Sequence, residues 1–191
     1  MKNIVLFGAP GAGKGTQAGK LTQKYDFNHI STGDVIRQEI KDMTHLGLTV
    51  KEAIDRGELA PDGVVIEIIE EYMLTHREAN GNIFDGFPRT IPQAAAFDKI
   101  LARHGLKIDM MLELVVPEEE LVQRILLRGH DSARADDSHE EIIRNRIEVY
   151  NAHTAVVAEY YREQGKYVAI DGKAPQPEVF AALCAEVDKL L

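Results

Sequence analysis

The stretch Gly8-Ala9-Pro10-Gly11-Ala12-Gly13-Lys14-Gly15-Thr16 constrains this chain more than any other. It follows the apolar run Ile4-Val5-Leu6-Phe7 and precedes a polar segment with helical spacing, so it lies where a buried strand turns into a helix. Glycines there let successive backbone N–H groups turn inward without a Cβ clash. The helix N-terminus adds partial positive charge, and Lys14 supplies a point cation. Together these make a cradle for phosphate. The spacing is Gly-x-x-x-x-Gly-Lys with one departure: Gly15 stands where Ser or Thr usually follows, and Thr16 comes one place later. The displaced hydroxyl puts its usual part in holding magnesium in question. An incidental glycine turn is the bland alternative, and the strand and helix on either side weigh against it.

A chain of 191 residues fits one domain with modest insertions and buries roughly 70% of its unfolded surface, so no metal or disulfide scaffold is required. The single cysteine, Cys184, excludes internal disulfides and any multi-cysteine zinc site, and it suits a reducing, cytoplasmic setting. It reads as a small apolar group on the last helix. A net charge of -9 argues against broad binding to nucleic acid or anionic membrane, because both need a basic surface. Any anionic ligand must therefore be met locally. No leader is expected ahead of the first strand, no apolar run reaches membrane-spanning length, and a monomer is the default.

Lys14 to Tyr25 reads as the first helix and Phe27-Asn28-His29-Ile30 as a short strand. Ser31-Thr32-Gly33-Asp34 is a cluster of N-cap residues before Val35, Ile36, Arg37 and Ile40 at helical spacing; capping is the plain reading of Thr32 and Asp34. Leu46 to Arg56 is a second short helix closed by Gly57, and Glu58-Leu59-Ala60-Pro61-Asp62 is a turn before the apolar helix Val64 to Leu74. Residues 31–61 thus form a helical excursion, the kind of insertion that serves α/β domains as a mobile flap.

Asn82-Ile83-Phe84-Asp85 reads as a strand ending in a carboxylate, placed to orient magnesium or its waters if the strand neighbours the cradle. Its alternative is a turn aspartate. Arg89 sits at a helix start, where the dipole mildly disfavours a cation, which favours a phosphate clamp over a solvated side chain. Gln93 either completes a Thr90-x-x-Gln capping box or shares a face with Arg89. Asp109 to Val116 is an apolar strand. The helix opened by Pro117 carries Arg124 and Arg128 on one face, where solvated ion pairs are the ordinary expectation. A polar link follows over 129–137. Asp137 and Glu140 can cap one helix running through Ile143, Ile147, Tyr150 and Val157 to Arg162; Arg144 and Arg146, two apart, face different ways. Tyr167 to Ile170 is the last strand, Asp171-Gly172-Lys173 its turn, and Pro177 opens the last helix. Strands alternating with helices give an α/β fold with a parallel sheet covered on both faces.

In this order the residues resemble the adenylate kinase family over essentially the whole chain. The matching words are the glycine loop through Gln17, Ser31-Thr32-Gly33-Asp34 with Arg37, Phe84-Asp85-Gly86-Phe87-Pro88-Arg89-Thr90 with Gln93, and Arg134-x-Asp136-Asp137 with Arg146. The family uses Gly-Lys-Gly-Thr, so the departure at Gly15 becomes support. The resemblance implies a P-loop core over 1–30, 62–128 and 138–191, an AMP-binding flap over 31–61, and a short lid over 129–137. It implies ATP contacts at Gly11, Ala12, Gly13, Lys14, Gly15, Thr16, Arg128, Gly172 and Lys173. It further implies AMP contacts at Thr32, Arg37, Glu58, Leu59, Ala60, Gly86, Phe87, Pro88, Arg89, Gln93, Arg134 and Arg146. Lys14, Arg89, Arg124, Arg134 and Arg146 would surround the transferring phosphoryl group, and Asp85 would hold Mg2+ through water.

The implied reaction is reversible: MgATP plus AMP gives two ADP. Such transfer asks for positioning and positive charge rather than a general base, which explains why an acidic chain gathers arginines and shows no His/Asp/Ser constellation. A UMP/CMP kinase of the same architecture is the nearest alternative, against which Thr32 and Gln93 argue. A nucleotide-binding regulatory module without transfer is the other, and it would not need a second arginine cluster.

Overall fold

The computed structural model describes residues 1–75, 79–131, 137 and 139–191. Five strands form one all-parallel sheet in the order β2-β3-β1-β4-β5: β1 Lys2–Phe7, β2 Phe27–Ser31, β3 Gly81–Asp85, β4 Met110–Val115 and β5 Tyr167–Asp171. The strands are short apolar runs because both faces of such a sheet are buried. Alternation along β1 shows how: Ile4 and Leu6 enter one core, Val5 and Phe7 the other. The first core is completed by Leu21 of α1 (Lys14–Tyr25), Ile125 of α6 (Glu118–Asp131), Ile143 of α7 (Glu140–Val149) and Leu183 of α9 (Gln176–Val187). The second takes Val65 and Ile69 from α4 (Asp62–Thr75), Phe97 and Leu101 from α5 (Ile91–Arg103), and Val157 and Tyr161 from α8 (Val156–Arg162).

Polar pairing fixes the register away from the glycine loop. Asn3, Asn82 and Asn28 stand level across β1, β3 and β2, and the Asn82 amide donates to Asn3 Oδ1 at 2.8 Å while Asn28 donates to Asn82 Oδ1 at 3.0 Å. Buried amides must be satisfied, and this ladder does so only in one register.

The connection after β1 runs to the β2 edge and that after β4 to the β5 edge. The winding therefore reverses beside β1, and ligands of open α/β sheets bind outside the carboxyl ends of the strands at such a place. Three elements depart from expectation. Asp62 is the first residue of α4 rather than part of a turn. Helix α6 continues through Asp131, so the polar link begins later than residue 129. The long helix expected from residue 140 to 162 is interrupted by a π-helical turn, Tyr150–Thr154. Between β2 and α4 lie α2 (Thr32–Lys41) and α3 (His45–Asp55), packed closely enough that a Cβ on Gly47 would lie 2.1 Å from Glu39 O.

Candidate active site

The glycine loop takes its shape from three left-handed residues. Gly8, Gly11 and Gly13 have φ of +136°, +83° and +93°, and a Cβ on Gly11 would meet Ile125 Cγ1 at 2.8 Å and Leu121 O at 2.9 Å. Gly13 caps α1 with no side chain, and no acidic residue occupies the first turn of that helix. First-turn N–H groups have no carbonyl one turn back to bond, so here they face outward with the positive end of the dipole. Gly13, Gly15 and Thr16 are exposed and Ala12 is buried.

Lys14 folds back over its own loop, donating from Nζ to Gly8 O at 2.8 Å and Ala9 O at 3.0 Å. Burial pushes its pKa down to about 8; Asp85 pulls upward, and Arg89, Arg146 and Arg128 push further down. Asp85, the last residue of β3, is 8% exposed. Its Oδ2 lies 3.4 Å from His29 Nε2 and 3.6 Å from where a Cβ on Gly15 would be, which sets the carboxylate directly against the loop.

One cavity gathers most of the acceptor-side residues singled out in the sequence, together with Lys14; Gly11, Ala12, Gly13, Gly15 and Thr16 of the cradle, Asp85, Arg128 and the Gly172–Lys173 turn are not part of its lining. Lys14, Thr32, Arg37, Glu58, Leu59, Ala60, Gly86, Pro88, Arg89, Gln93 and Arg146 all line it. Gly86 has φ +79°, and a Cβ there would sit 2.8 Å from the Arg89 guanidinium, whose Nε donates to Gly86 O at 2.6 Å. Thr32 Oγ1 donates to the same carbonyl at 3.0 Å. The Arg37 guanidinium lies against Gly33 and pairs with Asp34. Arg146 points into the cavity, while Arg144 turns to Glu140 at 2.8 Å on the other side.

Gln93 is held more firmly than the capping-box reading anticipates. Thr90 caps α5 by accepting from Gln93 N at 3.2 Å, but the Gln93 side chain reaches Arg89 N at 2.7 Å, one residue before the cap, and also donates to Asp62 Oδ1 at 2.7 Å. Asp62 accepts from the Thr90 hydroxyl as well. It belongs to the site's supports, and its place in a presumed turn hid it. Asp137 differs similarly. His139, not Asp137, occupies the N-cap position of α7, with no capping bond from its side chain. The Asp137 carboxylate is buried between Arg128, which grips it at 2.7 and 2.9 Å, and Arg146 at 2.6 Å. Burial pushes its pKa up, and bonds and charge from both arginines outweigh that, so the net shift is downward.

Of the residues expected around the acceptor and the transferring group, Phe87 and Arg124 stand apart from the cavity. The Phe87 ring packs in the core, 4.9 Å from Phe97, and does not line the cavity. Arg124 donates to Gly172 O at 3.0 Å and pairs with Glu120 at 2.9 Å, which groups it with the Gly172–Lys173 turn rather than with Arg89 and Arg146. Arg134 lies outside the described residues. Conversely, Gly57, Tyr150 and Thr154 line the cavity without having been picked out. Tyr150 was recoverable, since it follows Arg146 by four positions and so shares its helical face.

A parallel sheet with a lysine-bearing glycine loop at its winding reversal, facing a cavity rich in arginine, defines a P-loop nucleotide-binding protein. The family model for adenylate kinase matches residues 6–166. Named adenylate kinases of Phocaeicola vulgatus and Bacteroides thetaiotaomicron are 50% identical over 190 residues, and that of Flavobacterium psychrophilum is 45% identical over 190; each alignment covers all of both chains. The chain belongs to the adenylate kinase family. Members of that family are kinases, and this chain is one.

Proposed function

We propose that the chain transfers the terminal phosphoryl group of MgATP to AMP, giving two ADP, by direct in-line displacement. The observation that carries the proposal is one cavity that joins Lys14 of the phosphate cradle to Arg37, Arg89 and Arg146. A phosphate is already an anionic nucleophile, so the chain has no proton to abstract. It has two anions to bring together and negative charge on the transferred group to offset.

In this reading the exposed N–H groups of residues 13–16 receive the donor phosphates, and Lys14 exchanges its two loop carbonyls for phosphate oxygen. Arg89 and Arg146 meet the acceptor phosphate and the group in transit, joined by Arg134. Arg37 holds the far side of the acceptor, with Thr32, Gln93 and the backbone of residues 58–60 around the base. Arg124, Arg128, Gly172 and Lys173 face the donor nucleotide. Residues 31–61 act as the flap and 129–137 as the lid, closing to exclude water so that ATP is not hydrolysed.

Magnesium arrives with ATP and, when bound, neutralises phosphate charge. Among the described residues no three acidic, histidine or cysteine side chains cluster as a metal site. A hard cation here must take most of its oxygens from phosphate and water, and Asp85 beside Gly15 fits as the carboxylate that orients those waters. Among the described residues no helix is long and apolar enough to cross a membrane. We place the enzyme in the cytoplasm as a monomer, as its buried single cysteine and acidic surface favour.

Steady-state kinetics of Arg89→Ala and Arg146→Ala test the assignment. Each variant is expected to lose on the order of 10³-fold in kcat/KM for AMP, the scale of a transition-state arginine, while folding normally. Turnover within a few-fold of the parent would remove that arginine from the site.

A further inference from the structure

We propose that Asn145 is a positioning residue for the acceptor site, a latch that holds the flap against the helix bearing Arg146. The proposal rests on the reading of residues 31–61 as the acceptor flap. Two adjacent contacts join that segment to α7. The Asn145 amide donates to the Arg56 carbonyl at 2.6 Å, bridging residues 89 apart in sequence. The next residue, Gly57, is buried with φ +76°, and a Cβ there would fall 2.6 Å from Arg146 Cγ and 3.2 Å from Ile142 O. Gly57 lines the cavity, as does Arg146.

The consequence follows from what each contact fixes. Arg56 is the C-cap of α3, so its carbonyl is one of the helix-end acceptors left without an intrahelical donor. Asn145 supplies a donor from another element. The bond exists only while the end of the flap lies on α7, and breaking it returns that carbonyl to water. The glycine beside it lets backbone and Arg146 stem touch, so the flap's position and the course of the Arg146 side chain are set together. Residues 58–60, which enter the cavity immediately afterwards, are thereby delivered to the acceptor side.

A hydrogen bond of ordinary net worth changes an equilibrium about two- to tenfold. Asn145→Ala should therefore raise KM for AMP by roughly that factor, leave KM for ATP unchanged, and weaken AMP binding in calorimetry without ATP by the same factor. Asn145→Asp separates bond from shape, because the carboxylate fills the same space and has no N–H to donate. It should be at least as impaired as Asn145→Ala. Asn145→Asp matching the parent, or equal losses for ATP and AMP, would overturn the latch. Failure of the parent to transfer phosphate to AMP would instead sink the proposed function, and the binding measurement reads the latch independently of transfer.

Discussion

Lys14 concentrates the opposition between burial and charge at the scale of a single residue. Its ammonium has been taken from water, has three arginines acting against it and Asp85 in favour, and its pKa is pushed down to about 8 as a result. A polyphosphate brought against it must raise that value, so binding takes up protons wherever the free lysine is partly deprotonated. The sign is fixed: uptake means that affinity falls as pH rises through 8. Calorimetry of MgATP binding at pH 8.5, in two buffers of different ionisation enthalpy, should show uptake of a fraction of a proton that is absent in Lys14→Met. Equal uptake in both proteins would assign the proton elsewhere. Residues also show where the sequence speaks and where it does not. Lys14 and Arg89 are legible from motif and from their place at an element boundary, whereas Arg146 is singled out only by the family resemblance, since spacing alone leaves it and Arg144 equal. Asp62 and Asp137 are not legible as supports of the site, because each acts by meeting side chains from distant elements, and a carboxylate near a helix start reads equally well as a cap.

Among the elements, α5 is the one whose packing shapes the site from behind. Phe97 is fully buried, with Phe84 of β3 at 4.7 Å and Phe87 at 4.9 Å, both edge to face. It clamps the strand that ends in Asp85 to the turn that carries Arg89. Phe97→Ala should lower the unfolding free energy by about 3–5 kcal/mol in urea denaturation, the usual cost of a large core cavity. A loss under 1 kcal/mol would show that the three rings do not act as one unit. The strands and their helices were legible because a doubly covered parallel sheet demands apolar runs bounded by glycine and proline. The π-helical turn at Tyr150–Thr154 was not, since an apolar pattern read as one helix does not show where its face changes: Ile143 and Ile147 enter one core and Val157, past the turn, the other.

On the scale of the whole molecule, an acidic chain holds its cations together by giving them internal counter-ions. Asp137, buried between Arg128 of α6 and Arg146 of α7, is the clearest instance. Because its pKa is held below the ordinary carboxylate value, its contribution to stability is complete above about pH 4 and is lost as pH falls through the lowered value. Asp137→Asn should cost on the order of 1–2 kcal/mol at pH 7, allowing for the partial exposure of Arg128, and should make the acid side of the stability profile shallower. An unchanged acid profile would show that the bridge contributes no net stability. Double covering of a parallel sheet follows from element order in the sequence, whereas the strand order, and with it the winding reversal beside β1, comes from the structure. Which arginine meets which phosphate does not follow from element order either, for that depends on side-chain paths across three elements.

The central claim is that this cavity joins two adenine nucleotides for phosphoryl transfer. Its most direct test is ADP formation from MgATP with AMP, CMP, UMP or GMP in turn as acceptor, alongside a reaction with none. Fast, reversible transfer to AMP, with the other acceptors poor and little ATP consumed alone, is the expected result. Preference for a pyrimidine acceptor, or ATP binding with no transfer at all, would contradict it.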